Sequence, residues 1–403
     1  MNSRPDILFV SHRIPFPPDK PGRSRTFHLI RQLGRYANIH LASLTDAAVD
    51  PEATRYLSGE CVQFAAFPVS RWAGVHAIRS LAFGGTMSRG ATRSSDLTTT
   101  IQQWAAGTRF AAAVASSASV AHFLRLSGLE GARTLVDMAN LESHRWSDDA
   151  AMTWPPKSKA YSLEGARLAD LEKSICAWAN AVTLASLWEA ATLREQTGKA
   201  NVHAITNGVD LQYYSPSSPG AEAGCVFTGD LSYGPDVDGA GWFARAVWPN
   251  VRQRWPEVRF TVVGRRIGPA AKDLAEIPGV DVVGNVTDVR PYLDRAAIVV
   301  APQQVPRGLQ NSMLEAMAVG KPVVASPAAT SGFGNRPDFP PRTLAEQAEW
   351  VETILELLAD QHARHHLGRA GRDYVEQHHN WSTCLRPFAR LLGLEDSVAR
   401  GHA

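Results

Sequence analysis

One carboxylate, Glu315, stands inside an otherwise apolar helical run in Arg307-Gly-Leu-Gln-Asn-Ser-Met-Leu-Glu-Ala-Met-Ala-Val-Gly320. Two uses compete for it. Ser312-Met-Leu-Glu315 fits the S-x-x-E capping box, in which the glutamate closes back on the start of its own helix. Alternatively it serves a ligand. The strand-like Ile-Val-Val-Ala at 298–301 runs into a loop carrying Arg307, Gly308, Leu309 and Gln310, and a helix begins near Asn311. Unpaired N–H groups at such a helix start suit phosphate oxygens, and Gly320 is spaced as the residue that ends the helix.

Comparable strand ends recur along the chain. Gly229 follows the run 225–228, and Gly264, Arg265 and Arg266 follow the run 259–263. A glycine there lets backbone approach a ligand, and a cation there can neutralise a diphosphate; turn chemistry and solvated arginines are the plain readings. In the first half, the run 6–11 leads into a Pro-rich loop with His12, Arg13, Gly22, Arg23 and Arg25 before a helix. No G-x-G-x-x-G occurs in that loop, so it does not read as a dinucleotide-oxidoreductase turn. It reads as a loop on the ligand-bearing edge of a sheet.

The elements that must position these residues are short apolar runs alternating with longer stretches of helical period, the pattern of parallel sheets covered by helices. Strands are expected over 6–11, 38–44, 61–67, 111–116, 134–138, 181–185 and 201–205, then over 225–228, 259–263, 280–283, 298–301 and 322–326. The alternation breaks after Thr206-Asn-Gly-Val-Asp210, where Pro- and Gly-bearing sequence follows. This predicts two domains, 1–205 and 206–382, with a helical stretch from about 383 to 403 packing back on the first. A chain of 403 residues suits two domains. With 41 Lys and Arg against 39 Asp and Glu, the balance argues against a nucleic-acid partner. Cys61, Cys176, Cys225 and Cys384 are widely spaced and read as buried thiols in a reducing compartment. No run is long and apolar enough for a signal core or a membrane span, so a cytoplasmic protein is expected.

Asn-Gly-Val-Asp at 207–210, Val226-Phe-Thr-Gly229, Asp-Val-Arg-Pro-Tyr-Leu at 288–293 and above all Gly308-Leu-Gln-Asn-Ser-Met-Leu-Glu-Ala-Met-Ala-Val-Gly-Lys-Pro-Val-Val-Ala-Ser326 together resemble a family 4 glycosyltransferase, in the exopolysaccharide-associated branch. The resemblance implies the GT-B fold, two Rossmann-like doubly wound α/β domains facing a central cleft. It implies retaining transfer of a sugar from a nucleoside-diphosphate sugar to a glycan or lipid-linked acceptor, with no metal or other cofactor. By the same resemblance Glu315 holds the ribose hydroxyls, and the backbone at Gly308–Asn311 approaches the diphosphate and the sugar. A first-domain histidine, matched best by His122, is implied as catalytic. Asp137, at a strand end, is a comparable acceptor-side candidate.

Two departures from the family pattern stand out. Arg307 occupies the place of the first acid of a paired-glutamate motif, turning an acceptor of sugar hydroxyls into a donor-only cation. The phosphate clamp Arg-x-x-x-x-Lys is missing after Gly229, which leaves Arg265, Arg266 and Arg307 to balance the leaving group. Two alternatives remain open at this point, a sugar-nucleotide epimerase of the same fold and a sugar-nucleotide-binding scaffold without turnover. Finally, Arg71–Arg93 holds four arginines and no acid among Trp72, Ile78, Leu81 and Phe83. It reads either as peripheral contact with the inner face of an anionic membrane or as an insert packed on its own domain.

Overall fold

Ile7-Leu-Phe-Val10 is apolar at every position, which suits a strand covered on both faces, and all four side chains are fully buried. The computed structural model describes residues 4–18, 22–217, 224–334 and 336–395, with the side chains of residues 265, 269 and 270 outside that description. The chain forms two compact units. The first takes the N-terminal part to Ala185, Glu189–Ile205 and the segment from Cys384; the second takes Ser186–Trp188 and Thr206–Thr383. Residues 218–223 of the expected linker and 396–403 of the expected C-terminal helix lie outside the described residues.

In the first unit β1 (Asp6–Ser11), β2 (Asn38–Thr45), β3 (Gln63–Pro68), β4 (Phe110–Ala115), β5 (Arg133–Ala139), β6 (Ala181–Leu184) and β7 (Val202–Ala204) form one sheet in the order β3-β2-β1-β4-β5-β6-β7. Every pairing is parallel. In the second, β8 (Cys225–Leu231), β9 (Phe260–Ile267), β10 (Val280–Val283), β11 (Ile298–Ala301), β12 (Val323–Ala325) and β13 (Arg342–Thr343) form a sheet in the order β10-β9-β8-β11-β12-β13, again all parallel. Each order reverses at its first strand, between β1 and β4 and between β8 and β11. Those switch points open a crevice at the carboxyl ends of the strands, and loops there are free to bind.

Two long helical stretches are built in pieces. The stretch 238–253 is Gly234–Trp242, a π turn over Phe243–Val247, and Trp248–Arg254. Pro249 has no N–H to give to the preceding turn, so the ladder widens there. The stretch 363–394 is Gln361–His378, Trp381–Cys384 and Arg386–Leu391. It breaks where Val209 bridges to Asn380 and the Val209 N–H donates to the His379 carbonyl at 2.8 Å.

Candidate functional site

At the switch point of the second unit the crevice floor is polar and closed. Asp236, 8% exposed, accepts from the Asp230 N–H at 2.9 Å and from Gln303 Nε2 at 3.1 Å. Gly229 and Gly264 lie opposite each other on β8 and β9. A Cβ on Gly229 would come within 2.8 Å of the Phe227 ring and 2.9 Å of Asp236 Oδ2; one on Gly264 would come within 2.4 Å of Leu231 Cγ. Strand packing therefore already requires both glycines. The Arg265 side chain lies outside the described residues. Arg266 is ion-paired with Asp230, whose carboxyl burial raises but hydrogen bonds from Ser232 and Arg266 lower, with a net fall below its ordinary value. The charge of Arg266 is thus neutralised locally.

The loop after β11 leads to helix Asn311–Ala318, whose N-cap is Gln310, with no side-chain cap and no acid in its first turn. Ser312 lies inside the helix, one residue past its start, and so cannot serve as the N-cap of a capping box with Glu315. The helix is instead held from behind. Met313, Leu314, Ala316 and Met317 are buried, and its end is closed by Gly320 N–H to Met317 O at 2.9 Å and Lys321 N–H to Ala316 O at 3.0 Å, with Gly320 at φ 75°. This double closure is a Schellman motif. Glu315 lies on the partly exposed side. Asn311 Oδ1 accepts from Asn207 at 2.9 Å, and Gly332 packs so closely on the preceding loop that a Cβ there would lie 2.7 Å from the Gly308 carbonyl and 2.9 Å from Leu309 Cα. Arg307, half-buried, donates to the Pro306 carbonyl at 2.7 Å. A recess of ≈ 430 Å³ lies on the same edge of the sheet after β10, lined by Asn285–Asp288, Pro291, Tyr292 and Arg295.

The acceptor-side candidates of the first unit are put to structural use. Asp137 is 2% exposed and receives Arg25 Nε and Nη2 at 2.8 Å and the Thr183 hydroxyl at 2.7 Å. Its carboxylate is the counter-ion of a buried guanidinium. Arg25 is likewise not a loop residue: it sits in helix Ser24–Leu33, 8% exposed, and also donates to the Ile205 carbonyl at 2.8 Å. Arg23 donates to the Phe16 carbonyl at 2.6 Å and pins the Pro-rich loop, while Gly22 takes φ 73°. His122 lies in the 3-10 turn Ala118–Arg125, donates Nδ1–H to the Ser119 carbonyl at 3.0 Å and packs tilted against Phe123 with ring centres 4.0 Å apart. Burial, with Arg89 and Arg93 nearby, lowers it to about 4, so it is neutral at pH 7. Its ring is held by packing and by one backbone hydrogen bond.

At the first unit's switch point stand residues that were seen only as loop or not at all. His12, just past β1, reaches across to Ser116, just past β4, with Nδ1 3.2 Å from its hydroxyl. Burial and Arg13 hold His12 at about 4. A register shift after Asp137 and a left-handed Ala139, φ 60°, turn the chain off β5 toward helix Glu142–Ala151. Burial and Glu164 push the Glu142 carboxyl above its ordinary value, against Arg13 and Arg145. Behind it, Glu164, Leu168 and Glu172 are all buried at i, i+4 and i+8 of helix Lys157–Trp178. That stripe of acids in register with a core leucine was the available signal.

The fold is GT-B. Residues 222–360 match the family model described as Glycosyl transferases group 1. No curated protein sequence matches the chain. Similar solved structures include sucrose-phosphate synthase from Thermosynechococcus elongatus, at 16% identity and TM-score 0.67, covering 98% of this chain and 100% of that one. HepE from Anabaena, in complex with UDP and glucose, is similar at 16% identity and TM-score 0.64, covering 96% and 99%. A variant of TarM from S. aureus, in complex with fondaparinux, α-GlcNAc-glycerol and UDP, is similar at 12% identity and TM-score 0.64, covering 96% and 99%.

Proposed function

We propose that the chain is a retaining glycosyltransferase that moves a sugar from a nucleoside-diphosphate sugar to a glycan or lipid-linked acceptor in cell-surface polysaccharide assembly. The observation that carries this reading is the helix Asn311–Ala318 inside the matched region: uncapped, with no acid in its first turn, at the carboxyl edge of the sheet, with Glu315 partly exposed and not in a capping box. The complexes of HepE with UDP and glucose and of TarM with fondaparinux, α-GlcNAc-glycerol and UDP support the substrate classes. The helix start and the backbone from Gly308 to Asn311 receive the diphosphate, Arg307 adds positive charge there, and Glu315 accepts from ribose hydroxyls. His12, Ser116 and Glu142 are the polar groups of the first unit best placed for the acceptor. As the bond from the anomeric carbon to the diphosphate breaks, the acceptor oxygen bonds to that carbon and the departing phosphate oxygen takes its proton. The protein's share is orientation and stabilisation of the leaving group, with no bound metal.

Calorimetry with UDP, GDP, dTDP and NAD tests the donor site. One nucleoside diphosphate should bind, and Glu315→Ala should weaken it by about 1–3 kcal/mol through loss of charge-assisted hydrogen bonds. Preference for NAD, or full affinity in the variant with a lower melting temperature, overturns the assignment. Release of nucleoside diphosphate only when an acceptor is present separates transfer from epimerisation, and tight donor binding without any transfer identifies a scaffold.

A further inference from the structure

Between Glu60 and Asp96 the chain carries no acid and four arginines, Arg71, Arg79, Arg89 and Arg93. Its helix Ala73–Ala82 contains no buried residue. Contacts with the short helix Met87–Ala91 fix which side faces the protein. A Cβ on Gly90 would lie 2.5 Å from the His76 carbonyl oxygen, 2.6 Å from Ser80 Cβ and 3.0 Å from Ala77 Cα, so the inward side is small and polar. At helical spacing the outward side then collects Trp72, Val75, Ile78, Arg79 and Phe83. The apolar members are 56%, 55%, 69% and 82% exposed. A surface helix normally turns such a stripe toward the core; this one is inverted.

The inverted helix is held in place. Arg167 donates to the Gly85 carbonyl at 3.0 Å and to the Leu81 carbonyl, and the fully buried Glu164 accepts from the Met87 and Ser88 N–H groups at 2.5 and 3.0 Å. The arginines are carried at the level of the aromatic tips, with Arg71 5.7 Å from the Trp72 ring centre and Arg79 5.9 Å from that of Phe83.

We propose that this face, Trp72, Val75, Ile78 and Phe83 with Arg71 and Arg79 among them, seats on the anionic surface of a lipid bilayer. Charge chooses the occupant. The segment is of one sign with no acid to meet a basic partner, and an isologous contact with a second copy would set its arginines against each other. An anionic headgroup layer complements the cations, and the apolar tips enter the acyl boundary beneath it. This seating is independent of sugar transfer and is read with neither donor nor acceptor present.

The test is sedimentation of the full chain with vesicles of phosphatidylcholine alone and of phosphatidylcholine mixed equally with phosphatidylglycerol. Binding is expected to the mixed vesicles and to fall with added salt. Arg71→Gln with Arg79→Gln should weaken it about thirtyfold, the loss of two surface cations. Trp72→Ser with Ile78→Ser and Phe83→Ser should abolish it while the melting temperature stays unchanged, since these side chains are exposed. Equal binding to both vesicle types, no binding, or variants that bind like the unaltered chain would overturn the proposal. So would a dimer that the triple variant converts to monomer while vesicle binding is absent.

Discussion

Asp137→Ala takes from the buried Arg25 guanidinium the carboxylate with which it is paired. In the intact pair Arg25 Nε and Nη2 each reach the carboxylate at 2.8 Å, Nη1 donates to the Ile205 carbonyl, and the Phe388 ring lies 5.6 Å from the guanidinium carbon. The two side chains are 8% and 2% exposed, so water cannot replace the lost partner. Breaking one side of such a pair costs about 3–5 kcal/mol. For a domain of this size each kcal/mol moves the midpoint by about 2–4 °C, so the first unit should melt roughly 6–20 °C lower. The double variant Arg25→Met with Asp137→Leu removes both charges and should recover most of that loss. Calorimetry on all three proteins, with nucleoside-diphosphate release measured below every transition, separates the two roles. An Asp137→Ala protein that melts like the unaltered chain but has lost turnover would refute the structural assignment and return Asp137 to the acceptor side.

Further outcomes follow from the interiors of the two units. Burial pushes Glu172 up to about 7, aided by Glu142 and Glu189 and opposed by hydrogen bonds from Ser143. Its folded form holds a proton more tightly than the ordinary 4.5, so the stability it lends is present below pH 4.5 and is lost as pH rises through 7. Glu172→Gln keeps an acceptor for the Ser143 N–H without the charge; urea midpoints should show it gaining on the unaltered chain above pH 7 relative to pH 4.5, and a constant difference would contradict the buried-acid reading. At the end of the Glu315 helix, Gly320→Ala forces a side chain into φ 75° and should cost about 1–2 kcal/mol. Gly368→Ala should cost more, because its Cβ would lie 2.0 Å from the Gly320 carbonyl oxygen; equal urea midpoints for the two would mean that this contact relaxes freely.

The strands were legible because parallel strands buried on both faces leave unbroken apolar runs, and each expected strand is found. β13 was not expected, since two residues, Arg342 and Thr343, carry no pattern. Pairings across long separations left no local trace: Arg25 and Asp137 are 112 residues apart, and His12 and Ser116 are 104 apart. From the sequence Asp137 reads as a strand-end group, Arg25 and His12 as loop residues and Ser116 as the last residue of a strand. Glu315 illustrates the opposite difficulty, two local readings of one spacing. Its S-x-x-E pattern was real, but the helix begins at Asn311, one residue before Ser312, and that single step removes the capping alternative.

The motifs that carried the family resemblance divide by what they touch. A Cβ on Gly208 would lie 2.6 Å from the Trp381 backbone nitrogen, and His379 donates Nδ1–H to the Asn207 carbonyl at 2.9 Å, so Asn-Gly-Val-Asp is clasped by His-Asn-Trp within the second unit. Arg290 pairs with Asp288 at 2.8 Å and lies 3.7 Å over the Tyr213 ring, so Asp-Val-Arg-Pro-Tyr-Leu ties the helix Arg290–Arg295 to the chain entering the unit. Gly264 and Gly320 are likewise fixed by packing and by φ. Arg307 and Glu315 are different: Arg307 precedes and Glu315 follows a helix start on the carboxyl edge of the sheet, and both side chains are partly exposed there. Substitutions in the clasping motifs should therefore lower stability first and activity only with it, whereas Glu315→Ala and Arg307→Gln should alter nucleoside-diphosphate affinity in a unit that remains folded.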